Sequence, residues 1–277
     1  FAPDYRWGTF YSMSAGWVMS EESWFKNDLV DYLKIRGSIG QLGNERIGSE
    51  FPYQAAISFG NSYMYDRSSQ TVLAVQNAAQ VYYAFEDITW ETTTTSGVGL
   101  DIALLDNRLR FTGDYYHKKT SDMLLTLGFP SYAGFSAPQQ NAGDMYTNGW
   151  DLELGWSDTL GDFWYNASAN LSDYRSKMGY LGDKRTIVGN QIYEEGSYYY
   201  EWYMYKSDGL FLTDADLYDE TGKKYPTLTP NDKAGNIKYV DVDGNGIINS
   251  DDKVRLGNSQ PEYLYGGNVA MGWKGFD

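Results

Sequence analysis

The feature that most constrains this chain is a strict two-residue alternation in which one face is apolar and the other carries charges. In residues 97–105, GVGLDIALL, the apolar side chains of Val98, Leu100 and Ile102 alternate with small residues and with Asp101. A two-residue period is the repeat of a β-strand, whose successive side chains point to opposite faces of the sheet. The short segment LDNR at 105–108 leads into a second alternating run, so the sequence predicts a β-hairpin here.

The same alternation recurs in other segments of the chain. In residues 150–156, WDLELGW, the apolar residues Trp150, Leu152 and Leu154 share one face, and Asp151 and Glu153 occupy the other. Similar runs lie at 7–19, 32–40, 109–122, 163–175 and 263–276, so that about eight strands are countable. The 26 tyrosines and nine tryptophans suit a pleated sheet, on which aromatic side chains pack well. The sequence therefore predicts an all-β fold.

The predicted connections between strands alternate between short and long. Short connections lie near 20–31, 105–108 and 157–162, and long ones lie near 41–88, 127–147 and 176–262. Short turns at one end and long loops at the other are typical of membrane β-barrels, whose strands of about 10 residues place apolar side chains outward. A soluble β-sandwich with a solvated outer face shows the same alternation, so the asymmetry of the connections is what favours the barrel.

Charged side chains on the second face support the barrel interpretation. Packing them into a dry core would carry a large desolvation cost, whereas a water-filled lumen accommodates them. The residues predicted to line the lumen are Arg110, Asp114, Asp151 and Glu153. Aromatic residues near strand ends, which are expected where a barrel meets the two membrane–water interfaces, are Trp17, Trp150, Trp156, Phe163 and Trp273.

Residues 241–252, DVDGNGIINSDD, have the spacing of a calcium-binding loop. Such a loop supplies oxygen ligands at positions 1, 3, 5, 7, 9 and 12 and has glycine at position 6. The predicted ligands, in that order, are Asp241, Asp243, Asn245, the Ile247 carbonyl, Asn249 and Asp252, with Gly246 at the sixth position. A tight turn held by hydrogen bonds from side chains to backbone is the alternative, and it needs no metal. The expected role of a bound calcium ion is structural.

An aromatic run, YEEGSYYYEWYMY at 193–205, is a candidate binding surface for a substrate or a partner. Its predicted contact residues are Tyr198, Tyr199, Tyr200, Trp202, Tyr203 and Tyr205. Their flat faces and polar tips suit sugar rings or peptides. Packing between loops or against a neighbouring protein is the alternative role for the same residues.

Charge and composition exclude several classes of function. The net charge of −15 argues against nucleic acid as a ligand, because a polyphosphate needs a basic face. The chain has no cysteine, which excludes disulfides and thiolate chemistry. The single histidine, His117, has no nucleophile motif around it, and a lumen position explains the carboxylates of Asp151 and Glu153. We therefore predict no catalytic residue and no enzymatic activity.

Five motifs occur in the order and spacing of a known family. They are DYLKIRGSIGQLGN (31–44), DYYHKKTSDMLL (114–125), NAGDMYTNGWDLEL (141–154), YMYKSDGLF (203–211) and the run from 235 to 268. In these motifs the chain resembles the C-terminal barrel part of SusC/RagA-type TonB-linked (TonB-dependent) outer-membrane transporters of Bacteroidetes. The resemblance covers nearly the whole chain.

This resemblance implies a fold, a location and a set of partners. Residues 1–277 are expected to be a segment of a large antiparallel transmembrane β-barrel, with the plug domain and further strands outside this chain. Residues 176–262 are expected to form a long extracellular loop region that contains the Asp-rich loop. The family imports nutrients, here an oligosaccharide or a peptide, across the bacterial outer membrane. The implied partners are a SusD-like surface lipoprotein, TonB acting through the missing N-terminal part, and outer-membrane lipid.

A second class of function accounts for some of the same features. A secreted, soluble β-rich protein that binds or degrades glycans would use the aromatic run and the calcium loop. It does not explain the asymmetry of the connections or the charged faces of the strands. A surface adhesin is a third possibility, which uptake measurements would separate from a transporter.

Overall fold

The computed structural model describes residues 2–46, 54, 57–80, 87–126, 139–182 and 185–277. Within these ranges the backbone is mainly β-structure. Short 3-10 helices lie at Pro3–Tyr5, Met19–Glu21, Asp214–Leu217 and Ser250–Asp252. None of the helices in the described ranges has the length and apolar character needed to cross a membrane.

The strands of the described residues are numbered here in chain order. They are β1 (Ser12–Val18), β2 (Val30–Asn44), β3 (Ile57–Asp66), β4 (Thr71–Gln80), β5 (Glu91–Leu104), β6 (Leu109–Ser121), β7 (Leu124–Thr126), β8 (Gln139–Asn141), β9 (Met145–Leu160), β10 (Phe163–Met178), β11 (Thr186–Val188), β12 (Gln191–Tyr193), β13 (Glu201–Tyr205), β14 (Ser207–Leu210), β15 (Ile237–Tyr239), β16 (Lys253–Asn258) and β17 (Leu264–Trp273). The chain divides into two compact units. The first unit is Phe1–Gly182 with Glu262–Asp277, and the second unit is Asp183–Pro261.

The first unit is built on one antiparallel sheet. Its order is β1-β2-β5-β6-β9-β10-β17, seven strands in the described part of the chain, which is close to the predicted number. Strands β2, β5, β6, β9 and β10 have between 13 and 16 residues each. At about 3.3 Å per residue, such strands are long enough to cross a bilayer at the usual tilt.

The register of the sheet sorts its side chains as the alternation predicts. Strand β5 pairs with β6 so that Leu100 lies opposite Gly113 and Ile102 opposite Phe111, on the apolar face. Much of this face is exposed, with 62% of Val98 and 49% of Leu154 accessible to solvent. In a soluble layered protein a second layer of secondary structure would cover such a face. The sheet therefore has the face distribution of a barrel wall rather than that of a sandwich.

The opposite face of the sheet carries an ion-pair network that spans three strands. The Arg36 guanidinium on β2 contacts Asp101 on β5 through Nε at 3.1 Å and Asp114 on β6 through Nη2 at 2.7 Å. Gly99 lies between them, and a Cβ atom there would sit 2.6 Å from both the Arg36 Cζ and an Asp114 carboxylate oxygen. The glycine thus leaves the room in which the guanidinium bridges the two carboxylates.

Two tight turns close hairpins at one end of the sheet. In the β5–β6 turn, Leu105, Asp106 and Asn107 all have φ near +60°, and the Asn107 N–H donates to Asp31 at 2.9 Å. Asp and Asn tolerate this left-handed conformation better than other residues. The β9–β10 turn is shorter than the predicted 157–162, because β9 continues to Leu160 and pairs with β10 up to the Leu160–Phe163 pair.

The long connections contain more β-structure than the sequence predicts. Strands β3 and β4 form a hairpin inside the predicted loop 41–88, and β11 to β16 lie inside 176–262. Residues 127–138 of the predicted loop 127–147 lie outside the described residues, as do residues 47–53, 55–56 and 81–86 of the predicted loop 41–88.

The second unit has its own small core. Strands β11, β12, β13 and β16 form one sheet, and β14 pairs with β15. Ile192, Phe211, Leu217 and Ile248 are buried. The carboxylate of Glu201 is buried as well, and it is paired with Arg255 at 2.9 Å. A buried charge with a close, hydrogen-bonded partner avoids most of the cost of its desolvation.

Candidate functional site

The predicted metal loop brings three carboxylates together. Oxygen atoms of Asp241, Asp243 and Asp252 all lie within 4.8 Å of one another. Asp252 is fully buried, Asp241 is half-buried and Asp243 is exposed. In the described part of the chain, no lysine or arginine forms an ion pair with these carboxylates. Three uncompensated negative charges therefore converge in one turn.

Backbone N–H groups of the same loop donate to all three carboxylates, and Asp243 accepts from the Asn245 N–H at 2.9 Å. Asp241 accepts from Gly244 and from Gly246, each at 2.7 Å. The two glycines have φ values of +74° and +83°, which turn their N–H groups toward the carboxylate without steric cost. Asp252 accepts from Val242 and from Asn249, each at 2.8 Å. The loop thus holds its carboxylates in place with its own backbone.

The remaining predicted ligands have local hydrogen bonds of their own. The Asn245 side chain accepts from the Ile247 N–H at 2.8 Å and donates to Asp243 at 2.8 Å. Asn249 caps the helix Ser250–Asp252 by accepting from the Asp251 N–H at 2.7 Å. These contacts form the Asx-type turn network that is the metal-free alternative. A carboxylate oxygen has a further lone pair beyond these bonds, so the donor set fits a hard cation as well.

The charge state of Asp252 follows from the same contacts. The Asn249 N–H is the main cause that lowers the pKa of Asp252, and further backbone donors from Val242 and Asp243 act in the same direction. Burial acts in the opposite sense, because it disfavours the charged form. The aspartate is therefore ionised at neutral pH and holds both ends of the loop together.

The aromatic run does not form one flat platform. Tyr203 is buried in the second unit, with the Arg185 guanidinium 4.5 Å from its ring centre. Tyr199 and Tyr200 form a close pair with ring centres 4.1 Å apart and hydroxyls 3.2 Å apart, a contact that raises the pKa of Tyr199 to about 12. Tyr205 packs against Tyr239 with ring centres 5.4 Å apart. Tyr198 and Trp202 are half-buried.

The aromatic run is split between two local structures: Tyr198–Tyr200 precede β13, and Trp202, Tyr203 and Tyr205 lie within it. Within that strand, the side chains of Trp202 and Tyr203 point to opposite faces. Tyr200 is the one member of the six with more than a third of its surface exposed. The part of the run that is accessible to a ligand is therefore centred on the Tyr199–Tyr200 pair.

The residues predicted to line a lumen share one face of the main sheet. The β6–β9 register places Asp114 opposite Asp151, and Arg110 opposite Gly155 next to Glu153. Asp114 and Asp151 border a groove of about 610 Å³, together with Arg36 and Tyr116. The sequence alone does not reveal the bridge from Arg36 to Asp101 and Asp114, because that bridge depends on the strand register.

The chain is similar to known proteins along almost its whole length. A family model described as "TonB dependent receptor-like, beta-barrel" matches residues 2–268. TonB-dependent receptor P3 of Formosa agariphila is 28% identical over 294 residues, and TonB-dependent receptor SusC of Bacteroides thetaiotaomicron is 29% identical over 296 residues. Both alignments cover 100% of this chain, but only 28% and 27% of the two relatives.

Solved structures show the same fold. The RagAB peptide transporter superposes with a TM-score of 0.75 at 24% identity and covers 99% of this chain and 28% of its own. The RagAB peptide importer in the open-open state gives a TM-score of 0.72 at 25% identity, with 96% and 27% coverage. The chain thus spans just over a quarter of the length of these proteins. The predicted resemblance and the predicted antiparallel barrel fold are both confirmed.

The contacts of Asp252 lead to a prediction for the stability of the loop. Each carboxylate oxygen of Asp252 accepts one N–H group, and replacing Asp252 with Asn substitutes an NH2 group for one of these two buried acceptors, so amide hydrogen exchange in residues 241–252 should accelerate on the order of ten-fold. Because the pKa of Asp252 is lowered by folding, its stabilising contribution is present above the ordinary carboxyl pKa of about 4 and is lost as the pH falls through the folded value.

Hydrogen exchange followed by mass spectrometry between about pH 3.5 and pH 7 checks this prediction. The native loop should lose protection only at the acid end of this range, after correction for intrinsic exchange rates. The Asp252→Asn variant should be weakly protected throughout. Asp251→Asn is the matched control, because Asp251 is the exposed neighbour in the same short helix. Equal effects of the two substitutions would contradict the assigned role of Asp252.

Proposed function

Because the chain belongs to the TonB dependent receptor-like β-barrel family, we propose that it forms part of the wall and outer loops of a nutrient importer in the bacterial outer membrane. One observation carries this proposal: in the middle of its strands the seven-stranded sheet exposes an apolar face and carries its charges on the opposite face, while Lys119, Asp158 and Arg175 lie on the apolar face only toward the strand ends. A lipid environment on one side and a wet lumen on the other account for both faces. The secreted glycan-binding or glycan-degrading alternative has no support from the relatives.

In this proposal the intact transporter imports an oligosaccharide or a peptide. The name of the RagAB relatives supports a peptide, and the matched receptors are named for their dependence on TonB. Arg110, Asp114, Asp151 and Glu153 line the lumen, and none of them performs bond chemistry. TonB acts through a part of the transporter outside this chain. A surface lipoprotein of the SusD type is the proposed partner at the outer face, in keeping with the resemblance of the five motifs.

The Asp-rich loop has a structural role in this proposal. The acidic character of its surroundings supports a divalent cation, because residues 207–252 contain ten acidic and four basic residues. Asp241, Asp243 and Asp252 would hold the ion, with Asn245, Asn249 and the Ile247 carbonyl as further oxygen ligands. A bound calcium ion would supply positive charge and would rigidify an extracellular loop.

Nutrient uptake tests the main proposal. In a strain that lacks the full-length transporter, growth on one class of oligosaccharide or peptide should be lost, while growth on the corresponding monosaccharide or amino acid is unchanged. Inactivation of TonB should cause the same loss. Growth on every such polymer at the wild-type rate, or uptake that persists without TonB, would contradict the proposal.

Adjacent residues of β9 test the assignment of the two faces. In the full-length transporter, Leu154→Arg places a cation on the face proposed to meet lipid, near the middle of the strand, and should destabilise the barrel by about 2–4 kcal/mol. Glu153→Arg is the matched control, because it places the same side chain in the proposed lumen and should have little effect. Urea unfolding in lipid vesicles measures both variants. A larger loss of stability for Glu153→Arg would show that the faces are reversed.

Proteolysis tests the calcium proposal without relying on transport. Calcium added to chelator-treated, full-length protein should protect residues 241–252 from cleavage, and Asp243→Asn should weaken that protection because Asp243 is the exposed member of the carboxylate cluster. Asp251→Asn, which changes a neighbouring carboxylate outside the predicted ligand set, should respond to calcium as the native protein does. Cleavage that is insensitive to calcium in the native protein would rule out the ion.

A further inference from the structure

The apolar face of the main sheet contains a shallow groove of about 530 Å³ across strands β1, β2, β5 and β6. Ala15 and Gly37 form its floor, because they lie opposite each other in the register and leave space between larger neighbours. The walls are Met13, Ile39, Val98 and Tyr115. These walls are exposed, with 71% of Met13 and 51% of Tyr115 accessible to solvent. The groove is therefore open along an apolar surface.

The floor of the groove has room for a further apolar group. A Cβ atom added at Gly37 would have its nearest neighbour, the Gly97 carbonyl oxygen, 3.8 Å away. The space above Gly37 is thus unfilled rather than occupied by packed side chains. An apolar depression of this kind suits a hydrocarbon chain, whose contact with the floor and walls buries apolar surface on both sides.

Polar groups border one end of the groove. Ser96 and His117 lie opposite each other at this end, and Thr94 and Lys119 form the next pair along the same strands. The His117 Nδ1 atom is 2.7 Å from the Asn148 side-chain oxygen. In the described part of the chain, the second ring nitrogen has no hydrogen-bond partner, so it is available to a ligand.

Lys119 adds a positive charge at the same end. Its ammonium group lies 3.3 Å from an Asp144 carboxylate oxygen and 5.4 Å from the ring centre of Tyr146. Among the residues that the structure describes, Asp144 is the one carboxylate in ion-pair contact with Lys119. An ammonium group has three donors, so this pair leaves donors for a further anion.

The position of these polar groups along β6 matches the edge of a membrane. His117 lies eight residues, and Lys119 ten residues, after Leu109, which follows the tight β5–β6 turn. At about 3.3 Å per residue and a tilt of about 40°, these separations correspond to about 20 and 25 Å along the membrane normal. The apolar band of a membrane barrel is about 25 Å tall. Both residues therefore reach the level of the lipid headgroups, whereas the groove walls Val98 and Tyr115 lie within the hydrocarbon.

We propose that this groove binds one phosphate-bearing lipid molecule of the outer leaflet. An acyl chain lies against Ala15 and Gly37, and the phosphate accepts hydrogen bonds from His117 and Lys119. Charge-assisted hydrogen bonds of this type favour an anionic headgroup over a neutral one. The groove opens toward the outer leaflet because the tight turns close the opposite end of the sheet. This inference rests on the proposed function, which places the apolar face against lipid.

Filling the groove tests the site of the acyl chain. Purified full-length transporter in detergent is titrated with lipid A, a phosphorylated and acylated glycolipid, and bound lipid is counted by native mass spectrometry. Gly37→Leu occupies the floor and should weaken binding of the first lipid by about ten-fold. Gly155→Leu is the matched control, because an added Cβ there also meets nothing within 4 Å but lies on the charged face. Unchanged binding in Gly37→Leu, or an equal loss in both variants, would overturn the inference.

A second pair of variants tests the headgroup contact. Lys119→Gln should weaken lipid A binding by about five-fold, the usual contribution of one lysine to an anionic lipid contact. Lys118→Gln, at the adjacent residue on the opposite face, should bind as the native protein does. Dephosphorylated lipid A should bind the native protein about five-fold more weakly than lipid A. Equal binding of the two lipids would refute the phosphate contact, and displacement of lipid A by millimolar inorganic phosphate would show a site for free anions instead. Heat-dependent gel mobility establishes that the barrel is assembled in each variant.

The outcomes separate this inference from the proposed function. If uptake depends on TonB but Gly37→Leu retains the lipid, the lipid site is refuted and the importer stands. If uptake is independent of TonB while Gly37→Leu alone loses the lipid, the importer is refuted and the lipid site stands as a property of the barrel wall. If Leu154→Arg and Glu153→Arg show that the faces are reversed, both are refuted together.

Discussion

The antiparallel pairing of long strands is the interaction on which the rest of this structure depends. The seven strands of the main sheet pair with their neighbours in a register that keeps the two-residue period aligned, except for one irregularity between Val30 and Tyr32 at the start of β2. A shift of one residue in any pair would move apolar residues to the charged face and charges to the apolar face. In a membrane the same pairing has a second role, because hydrocarbon offers no hydrogen-bond partner to the backbone. The same set of hydrogen bonds therefore stabilises the sheet and keeps its apolar and charged side chains on separate faces.

The charged face shows how this register produces specific contacts. Arg36, Asp101 and Asp114 come from three different strands, and they meet because Gly99 leaves space between them. All three side chains keep some solvent access, so the network gains from hydrogen bonding without the full desolvation cost of a dry interior. In the proposed barrel, a water-filled lumen would allow such pairs to be numerous. The apolar face would need no comparable network, because lipid would take the place of a packed core.

Much of the barrel wall could be predicted from the sequence, because period-two alternation with charges on one face is a local signal. The β3–β4 hairpin was missed, since Val72 and Val75 of β4 belong to opposite faces and the alternation is therefore lost in that strand. The β9–β10 turn was predicted to begin too early in the chain, because Asp158 and Thr159 resemble turn residues. In the structure both residues continue the pairing of β9 with β10. At the candidate metal site the ligand spacing was readable. The burial of Asp252 and its hydrogen bond from the Val242 N–H could not be read from the sequence, since they depend on how the loop folds back over ten residues.

Two elements of the long connections, the Asp-rich loop and the β3–β4 hairpin, differ in what their ordered structure leaves exposed. The Asp-rich loop satisfies its carboxylates with its own N–H groups, so its order is local and an added cation only strengthens what the chain already holds. The β3–β4 hairpin satisfies its backbone in the same internal way, yet it leaves a set of aromatic and aliphatic side chains uncovered. Hydrogen bonds fix the shape of both elements, but only the hairpin gains a large amount of free energy when another surface covers it. An acidic, self-contained loop is therefore suited to being a rigid support, whereas the hairpin has a fixed shape and keeps an uncovered apolar face.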